Sequence, residues 1–269
     1  MKKIIKNYFP KLTEFVRKKR LINAASKAKI FSDGSVYYGL QQEDYEKIFF
    51  NVISSYASKY ECFVNLGANT GFYVIRLAHR FKKILAVEAL EENSSLLARN
   101  VSENNLSDKT IVMNCAASDR QEIIKFYGGS TGGSMVAGWN MQTEIKQIVQ
   151  ALPGDILYKS FIGDESDSLI LIDCEAAEFQ VLKGLNETIK NTNSTYIVEI
   201  TCRAHMPNEI FNPQFLDIFN YMFEFNYAAK MICDDGSLVL LSNDLLQKMV
   251  EENRYDGIMV VFERDISNK

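Results

Sequence analysis

Two glycines and an asparagine stand where an apolar run gives way to a helical pattern, in "FVNLGANTGFYVIRLA" at residues 63–78. Gly67 can adopt the backbone angles of a tight turn, and Gly71 would let a ligand or a strand approach the chain closely. Asn69 lies at the tip, where its amide can bond a small polar group or cap the helix. Ligands of open α/β sheets bind at such strand-to-helix corners. The corner is therefore a candidate ligand site, with an ordinary packed turn as the alternative.

The spacing of this corner argues against two common phosphate sites. A dinucleotide fingerprint needs G-x-G-x-x-G, whereas this sequence has G-x-x-x-G, and no G-K-[ST] of a phosphate-binding loop follows. Glu88 ends the next apolar run, "ILAVEA", 21 residues after Gly67. Near that distance a second strand delivers a carboxylate to ribose hydroxyls. Corner and acid together predict a ligand with a ribose, either a nicotinamide cofactor or S-adenosylmethionine; a solvated acid at a strand end is the alternative.

A group of carboxylates follows later, in "SLILIDCEAAEFQVLKGL" and "YIVEI". Asp173 ends one apolar run, Glu175 and Glu178 come directly after it, and Glu199 ends the next run. Close carboxylates repel one another unless a cation, a bound hydroxyl or a helix N-terminus offsets them, and a sulfonium ligand would bring a positive charge. In the alternative interpretation Glu175 and Glu178 are ordinary helix-start acids. His205 lies beyond Glu199 and adds a residue type suited to proton transfer near neutral pH, or is an ordinary loop histidine.

The glycine-rich stretch "YGGSTGGSMVAGWNMQ", residues 127–142, contains five glycines and the single tryptophan, Trp139. So many glycines predict a flexible loop over the site rather than a core element. An aromatic ring can stack on the face of a sugar, so Trp139 is a candidate acceptor contact. The alternative is that Trp139 anchors the loop by burial.

The elements that would position these residues alternate along the chain. Apolar runs such as "CFVNL", "KILAVEA", "TIVMNCA", "LILIDC" and "TYIVEI" are separated by stretches with helical spacing. This alternation predicts βαβ units around a parallel sheet that is covered on both faces. After Glu199 the order changes to a helix from Phe215, two strands around an Asp235-Gly236 turn, and a last strand, "GIMVVFER". We therefore expect a parallel sheet that ends in antiparallel strands.

Charge and composition divide the chain into residues 1–40, a basic helical extension, and residues 41–269, one α/β domain. Residues 1–29 hold ten Lys or Arg against one acid, while the remaining residues hold 20 bases against 33 acids. The acidic body argues against nucleic-acid binding. A helix after Pro10 either docks on the body or lies on anionic lipid. The absence of a long apolar run or a signal-peptide pattern predicts a cytoplasmic protein, with contact to the inner membrane face left open.

The five cysteines are odd in number, far apart and without a CxxC pair, and the sequence has two histidines. We expect free buried thiols and no metal site.

Taken in order, "FVNLGANTGFY", "AVEALEENSSLLARNVSENNL", "NCAASD", "LILIDCEAAEFQVLKGL" and "YIVEI" resemble the FkbM family of S-adenosylmethionine-dependent O-methyltransferases. The similarity runs over residues 43–199, with a weaker likeness in "NYAAKMICDDGSLVLL" and "IMVVFER". It implies a class I methyltransferase fold, Rossmann-like, with a mostly parallel seven-stranded sheet, one antiparallel strand and helices on both faces. It also implies a hydroxyl acceptor, often of a sugar or glycan; members act on polyketides and other small molecules as well.

The resemblance places the methionine part of the cofactor at the glycine corner, the ribose at Glu88, the adenine along residues 116–119 and the transferring methyl near Asp173. The predicted cofactor contacts are Asn65, Gly67, Asn69, Gly71, Phe72, Glu88, Ala89, Ala116, Ala117, Ser118 and Asp173. The predicted catalytic candidates are Asp173, Glu175 and His205, and the predicted acceptor contacts are Trp139, Glu178 and Glu199.

Three positions depart from the family pattern. Asn65 stands where an acid usually receives the cofactor's amino group, so an uncharged amide oxygen would have to accept that bond. Ala176 replaces a glycine of the turn after Asp173, and Leu171 replaces a frequent lysine. The predicted function is methyl transfer to a hydroxyl, with a noncatalytic binding protein or a nicotinamide-dependent oxidoreductase as the alternatives.

Overall fold

A computed structural model of the chain describes residues 29–32, 35–38, 44–129, 132–164, 166–253 and 255–264. Within these residues the strands are β1 (Lys29–Ser32), β2 (Ser35–Tyr38), β3 (Cys62–Leu66), β4 (Lys83–Glu88), β5 (Thr110–Asn114), β6 (Ala116–Ser118), β7 (Glu122–Tyr127), β8 (Ile145–Pro153), β9 (Ser168–Ile172), β10 (Thr195–Thr201), β11 (Tyr227–Ile232), β12 (Leu238–Leu240) and β13 (Gly257–Arg264). The helices are α1 (Asp44–Tyr56), α2 (Phe72–Leu77), α3 (Glu91–Glu103), α4 (Gly154–Phe161), α5 (Glu178–Gly184), α6 (Asn186–Asn191), α7 (Phe215–Glu224) and α8 (Asn243–Glu252).

The large sheet has the strand order β12-β11-β13-β10-β9-β3-β4-β5. Its five strands from β10 to β5 are parallel, and β13 runs antiparallel to both β10 and β11. The seven neighbouring strands β11, β13, β10, β9, β3, β4 and β5, of which β13 alone is antiparallel, correspond to the predicted seven-stranded sheet. β12 adds an eighth strand at the edge, paired antiparallel with β11 across the predicted Asp235-Gly236 turn. The parallel centre brings the carboxyl ends of β3, β4, β5, β9 and β10 to one edge of the sheet.

The central strands are buried on both faces, as their continuous apolar runs predict. All five residues of β3 are buried. Val64 and Leu66 pack with α4 to α8 on one face, while Phe63 packs with α1, α2 and α3 on the other. This two-layer cover holds the carboxyl ends of the strands in fixed positions.

A separate three-stranded sheet, with the order β6-β8-β7, was not predicted. The run "TIVMNCA" reads as one strand, but the chain leaves the large sheet after Asn114 and enters the small sheet at Ala116. β8 then pairs parallel with β6 and antiparallel with β7. The small sheet carries the glycine-rich loop between β7 and β8.

The N-terminal extension was predicted to be helical, and its described part is not. β1 and β2 form an antiparallel hairpin, and β1 lies beside α3. The predicted basic helix falls within residues 1–28, which lie outside the described residues. All five cysteines are free; Cys62, Cys115 and Cys202 are buried. No helix within the described ranges is long and apolar enough to cross a membrane.

Candidate active site

The glycine corner joins β3 to α2 at the carboxyl edge of the sheet. Gly67 has φ +83°, and a Cβ there would lie 1.7 Å from the Asp173 carbonyl oxygen. The N–H groups of Gly67 and Ala68 both donate to the Val87 carbonyl oxygen at 2.9 Å. Gly67 therefore allows the ends of β3, β4 and β9 to meet, because any side chain at this position would clash with backbone.

Gly71 serves a different purpose from the predicted one. It has φ +96°, and a Cβ there would lie 2.6 Å from Cδ1 of Leu97 in α3. The expectation that a ligand or a strand approaches Gly71 is therefore corrected, because a helix side chain occupies that space. Its role is to let α2 and α3 pack closely.

Glu88 ends β4 with its carboxylate held by backbone. Oε2 accepts a bond from the N–H of Asn69 at 2.9 Å, and Oε1 accepts one from the N–H of Leu90 at 2.9 Å. Burial raises the pKa of Glu88 above its ordinary value, although these bonds and a further one from Asn93 oppose the shift. These backbone bonds fix the orientation of the carboxylate at the cleft wall, where it is a candidate acceptor for ligand hydroxyls.

A cleft opens beside Gly67 and Glu88 at the carboxyl edge of the sheet. The structure brings seven of the predicted cofactor residues to its wall: Gly67, Asn69, Glu88, Ala89, Ala116, Ala117 and Asp173. Four others lie outside the lining: Asn65, Gly71, Phe72 and Ser118. For Gly71, Phe72 and Ser118 the predicted direct contact is not supported by this geometry.

Asn65 is the other predicted contact that lies outside the lining. It is 2% exposed in β3, and its Oδ1 accepts no hydrogen bond from the described residues. Asn69 has φ +49°, and its Oδ1 accepts a bond from the Thr70 N–H at 2.7 Å, which closes the turn rather than capping α2. A buried acceptor without a partner is rare, so Asn65 stays a candidate for a ligand amino group.

Glu175 lies in a left-handed turn directly beyond β9 and lines the cleft with Asp173. Glu175 has φ +49° and Ala176 has φ +71°, two consecutive non-glycine residues in a conformation that costs free energy. Burial and the nearby charge of Glu199 raise the pKa of Glu175 to about 7. Its carboxyl group therefore changes protonation near neutral pH, as a general base requires.

Glu178 supports this turn from the first residue of α5. It is 1% exposed, and its Oε1 accepts a bond from the Ala176 N–H at 2.8 Å. Burial, which outweighs the hydrogen bonds to its carboxyl group, raises the pKa of Glu178 to about 8. The predicted acceptor contact is therefore not supported, because Glu178 lies outside the cleft lining and is buried under the turn.

Trp139 is not available for stacking on a ligand. Its side chain is 1% exposed and packs with Ala176 and Met206. Its ring meets the His205 ring edge to face at 5.5 Å, and the Asn140 N–H donates to the His205 carbonyl oxygen at 2.7 Å. The acceptor prediction for Trp139 is corrected in favour of the alternative, in which burial anchors the loop.

His205 and Glu199 are the remaining predicted residues. Neither lines the cleft. His205 follows β10 and packs against Trp139, so its catalytic role stays a prediction. Glu199 is exposed at the end of β10, close enough for its charge to act on Glu175. An acceptor contact at Glu199 stays a prediction.

Sequence reasoning missed several residues of the cleft wall. Asn93, buried in the first turn of α3, could have been found, because it lies five residues after Glu88 in the quoted motif. Phe126 comes from β7, and no sequence signal shows that a separate sheet carries it to the cleft. Gly133 and Met135 come from the glycine-rich loop, which the sequence predicts over the site without singling out these two residues.

The chain is also similar to known methyltransferases. A family model described as "Methyltransferase FkbM domain" matches residues 65–229. The fold is similar to that of a methyltransferase FkbM from Methylobacillus flagellatus, with 14% identity and a TM-score of 0.50 over 93% of this chain. This chain spans 60% of the length of that protein.

An O-methyltransferase from Bacillus cereus was solved with S-adenosylhomocysteine (SAH). It is 12% identical to this chain with a TM-score of 0.46, and the alignment covers 97% of this chain and 96% of that one. A search of curated protein sequences found no match.

Proposed function

The chain belongs to the FkbM methyltransferase family, and from that premise we propose that it transfers a methyl group from S-adenosylmethionine to an acceptor hydroxyl. The observation that carries the proposal is the cleft at the carboxyl edge of the sheet. The lining of this cleft includes Glu88, the proposed ribose-binding acid, the glycine corner at Gly67, and the ionisable Glu175.

The cleft suits the three parts of S-adenosylmethionine. Glu88 would accept bonds from the two ribose hydroxyls, and Ala116, Ala117 and Phe126 offer an apolar wall for the adenine. Asp173 and Glu175 would place negative charge near the positively charged sulfur. When bound, the cofactor supplies a methyl group on that sulfur. Asn65 would accept a bond from the amino group, as its partnerless Oδ1 supports.

Glu175 is the proposed general base. A hydroxyl must lose its proton as its oxygen gains the methyl group, and the Glu175 carboxylate, deprotonated above a pKa of about 7, would take that proton. The strained backbone of the turn would hold the carboxylate in place, which limits the entropy lost on reaching a reactive geometry. The negative charge of Glu199 helps to raise the pKa of Glu175, which makes the carboxylate a stronger base than an ordinary glutamate.

The proposed acceptor is the hydroxyl of a sugar or of a glycan precursor, in the cytoplasm. The resemblance to the FkbM family supports it. The alternative functions are a noncatalytic relative that binds a glycan and a nicotinamide-dependent oxidoreductase. The missing G-x-G-x-x-G argues against the oxidoreductase, and an ionisable carboxyl group on the cleft wall argues against the noncatalytic protein.

A labelling experiment tests the proposal. Purified protein is incubated with S-adenosylmethionine carrying a tritiated methyl group and with glycans extracted from a deletion strain. We expect label in the glycan fraction with the wild type and at least a hundredfold less with Glu175→Gln. A protein that binds the cofactor and labels no fraction would favour the noncatalytic alternative. Binding of NAD without binding of S-adenosylmethionine would favour the oxidoreductase.

A further inference from the structure

A second groove lies beside the cleft. We call it the distal groove; its walls are the turn at residues 118–120, strand β7 and the side of α5 that carries Gln180 and Lys183. Met135 lines both the cleft and the distal groove, so its side chain stands between them. A molecule that reaches past Met135 would occupy both spaces.

Four of the five charged side chains that line the distal groove form two ion pairs, and Lys125 is the fifth. Lys183 Nζ lies 2.6 Å from Asp119 Oδ2, and Arg120 Nε lies 3.0 Å from Glu122 Oε1. The bond from Lys183 holds the pKa of Asp119 below its ordinary value. Two acids against three bases leave the groove with a formal charge of +1, and the pairs place donors and acceptors side by side. Such a wall suits a hydroxyl-rich ligand better than a highly charged one.

Gln180 supplies a second, independent observation. Its Nε2 donates to Gln214 Oε1 at 3.1 Å, while its own Oε1 is buried and accepts no bond from the described residues. Buried acceptors are nearly always satisfied in native proteins, and Gln180 is one of the residues that line the groove, so a ligand hydroxyl is a candidate partner for this oxygen.

The outer edge of β7 adds backbone groups. β7 pairs with β8 on its inner side, and on its outer side Tyr127 alone is paired, through two bonds with Ser134 of 2.8 and 2.9 Å. Between Glu122 and Phe126 the outer edge pairs with no other described strand. Its N–H and C=O groups are therefore open to a ligand in the groove.

The length of α5 sets the size of the ligand. Ala177, directly before α5, lines the cleft, whereas Gln180 and Lys183 line the distal groove one and two helical turns later. At 1.5 Å rise per residue, Lys183 lies about 9 Å along the helix from Ala177. A ligand in both spaces is longer than a single sugar ring.

We infer that the distal groove binds the far part of an extended saccharide acceptor, whose near part presents its hydroxyl at the cleft. This inference rests on the proposed function. Gln180, Lys183 and the β7 backbone would bond sugar hydroxyls, and Met135 with Ile124 would contact the apolar faces of the rings. An extended peptide added to the edge of β7 is the competing occupant, which the test separates.

A glycan array probed with SAH-saturated protein tests the inference, beside a peptide array of equal size. The variants are Lys183→Met and the exposed Lys125→Glu, both in the distal groove. The control is Lys146→Glu, an exposed lysine of the same small sheet that does not line the groove. Calorimetry with SAH is run on each protein.

We expect the wild type to bind oligosaccharides more tightly than single sugars, and both groove variants to bind them at least tenfold more weakly. SAH affinity and the Lys146→Glu control should match the wild type. Binding of no glycan, of single sugars only, or of peptides instead, with SAH still bound, would overturn the inference alone, as would groove variants that bind like the wild type. Loss of SAH binding by the wild type would instead overturn the proposed function.

Discussion

The Ser134 hydroxyl donates a 2.6 Å hydrogen bond to the carbonyl oxygen of Glu175. Ser134 is fully buried, its Oγ also accepts a bond from the Val136 N–H at 3.0 Å, and its backbone pairs with Tyr127. The glycine-rich loop is thus tied to the strained turn that carries the proposed base. The loop and the turn are therefore linked, because one cannot move relative to the other without breaking this bond.

Ser134→Ala should lower kcat about tenfold while leaving SAH affinity unchanged, because the turn at Glu175 loses a hydrogen bond worth about 0.5–1.5 kcal/mol. Ser134→Thr, which keeps the hydroxyl, should recover most of the activity. Steady-state kinetics with the labelled cofactor measures both. A loss of thermal stability with unchanged kcat would show that Ser134 supports the fold and does not position Glu175.

The pH dependence of kcat/KM should follow Glu175. Since burial and the charge of Glu199 raise the pKa of Glu175 to about 7, the deprotonated base accumulates only above that pH. We expect kcat/KM, which reports the ionisations of the free enzyme, to rise through an apparent pKa near 7 in the wild type. Glu175→Gln should lower kcat by about 10²–10⁴ and remove the inflection. An unchanged inflection in that variant would assign the titration to another group.

Glu178→Gln tests the buried acid below the turn. Burial raises the pKa of Glu178 from 4.5 to about 8, so its contribution to stability is complete below pH 4.5 and is lost as pH rises through 8. Glutamine imitates the protonated acid and does not titrate. The unfolding free energy of the wild type, relative to this variant, should fall by on the order of 2 kcal/mol between pH 5.5 and 7.5. Parallel pH curves from urea unfolding would show that Glu178 is not protonated in the folded state.

Trp139→Ala should lower the unfolding free energy by about 3–5 kcal/mol, because it empties a buried site between Ala176 and Met206. Met141→Ala is the matched control, since Met141 belongs to the same loop and is 91% exposed. Thermal unfolding compares the two. If Trp139→Ala melts like the wild type, the loop does not depend on the tryptophan anchor.

The parallel core and half of the site could be predicted from sequence because both depend on local pattern. Buried strands such as β3 read as apolar runs, and the spacing from Gly67 to Glu88 follows from one βαβ unit. Asp173 and Glu175 were found because acids directly after a buried strand lie at the reacting edge.

What the sequence did not show depends on contacts between distant segments. The glycines at 127–142 suggest a mobile loop, yet Trp139 is buried by residues near position 206, more than 60 positions away. Ala176 adopts a left-handed conformation that favours glycine, held there by Ser134 and Glu178. A continuous apolar run likewise cannot reveal that the chain changes sheets between β5 and β6.

The central claim is that the cleft between Gly67 and Glu88 binds S-adenosylmethionine, and calorimetry with SAH tests it most directly. The comparison is between the wild type, Glu88→Ala and Glu91→Ala, an exposed acid three residues later that does not line the cleft. The account predicts that the wild type and Glu91→Ala bind SAH equally, whereas Glu88→Ala binds about 1.5–3 kcal/mol more weakly because it loses hydrogen bonds to a charged group. A wild type that does not bind SAH, or a Glu88→Ala variant that remains folded and binds it with undiminished affinity, would contradict the account.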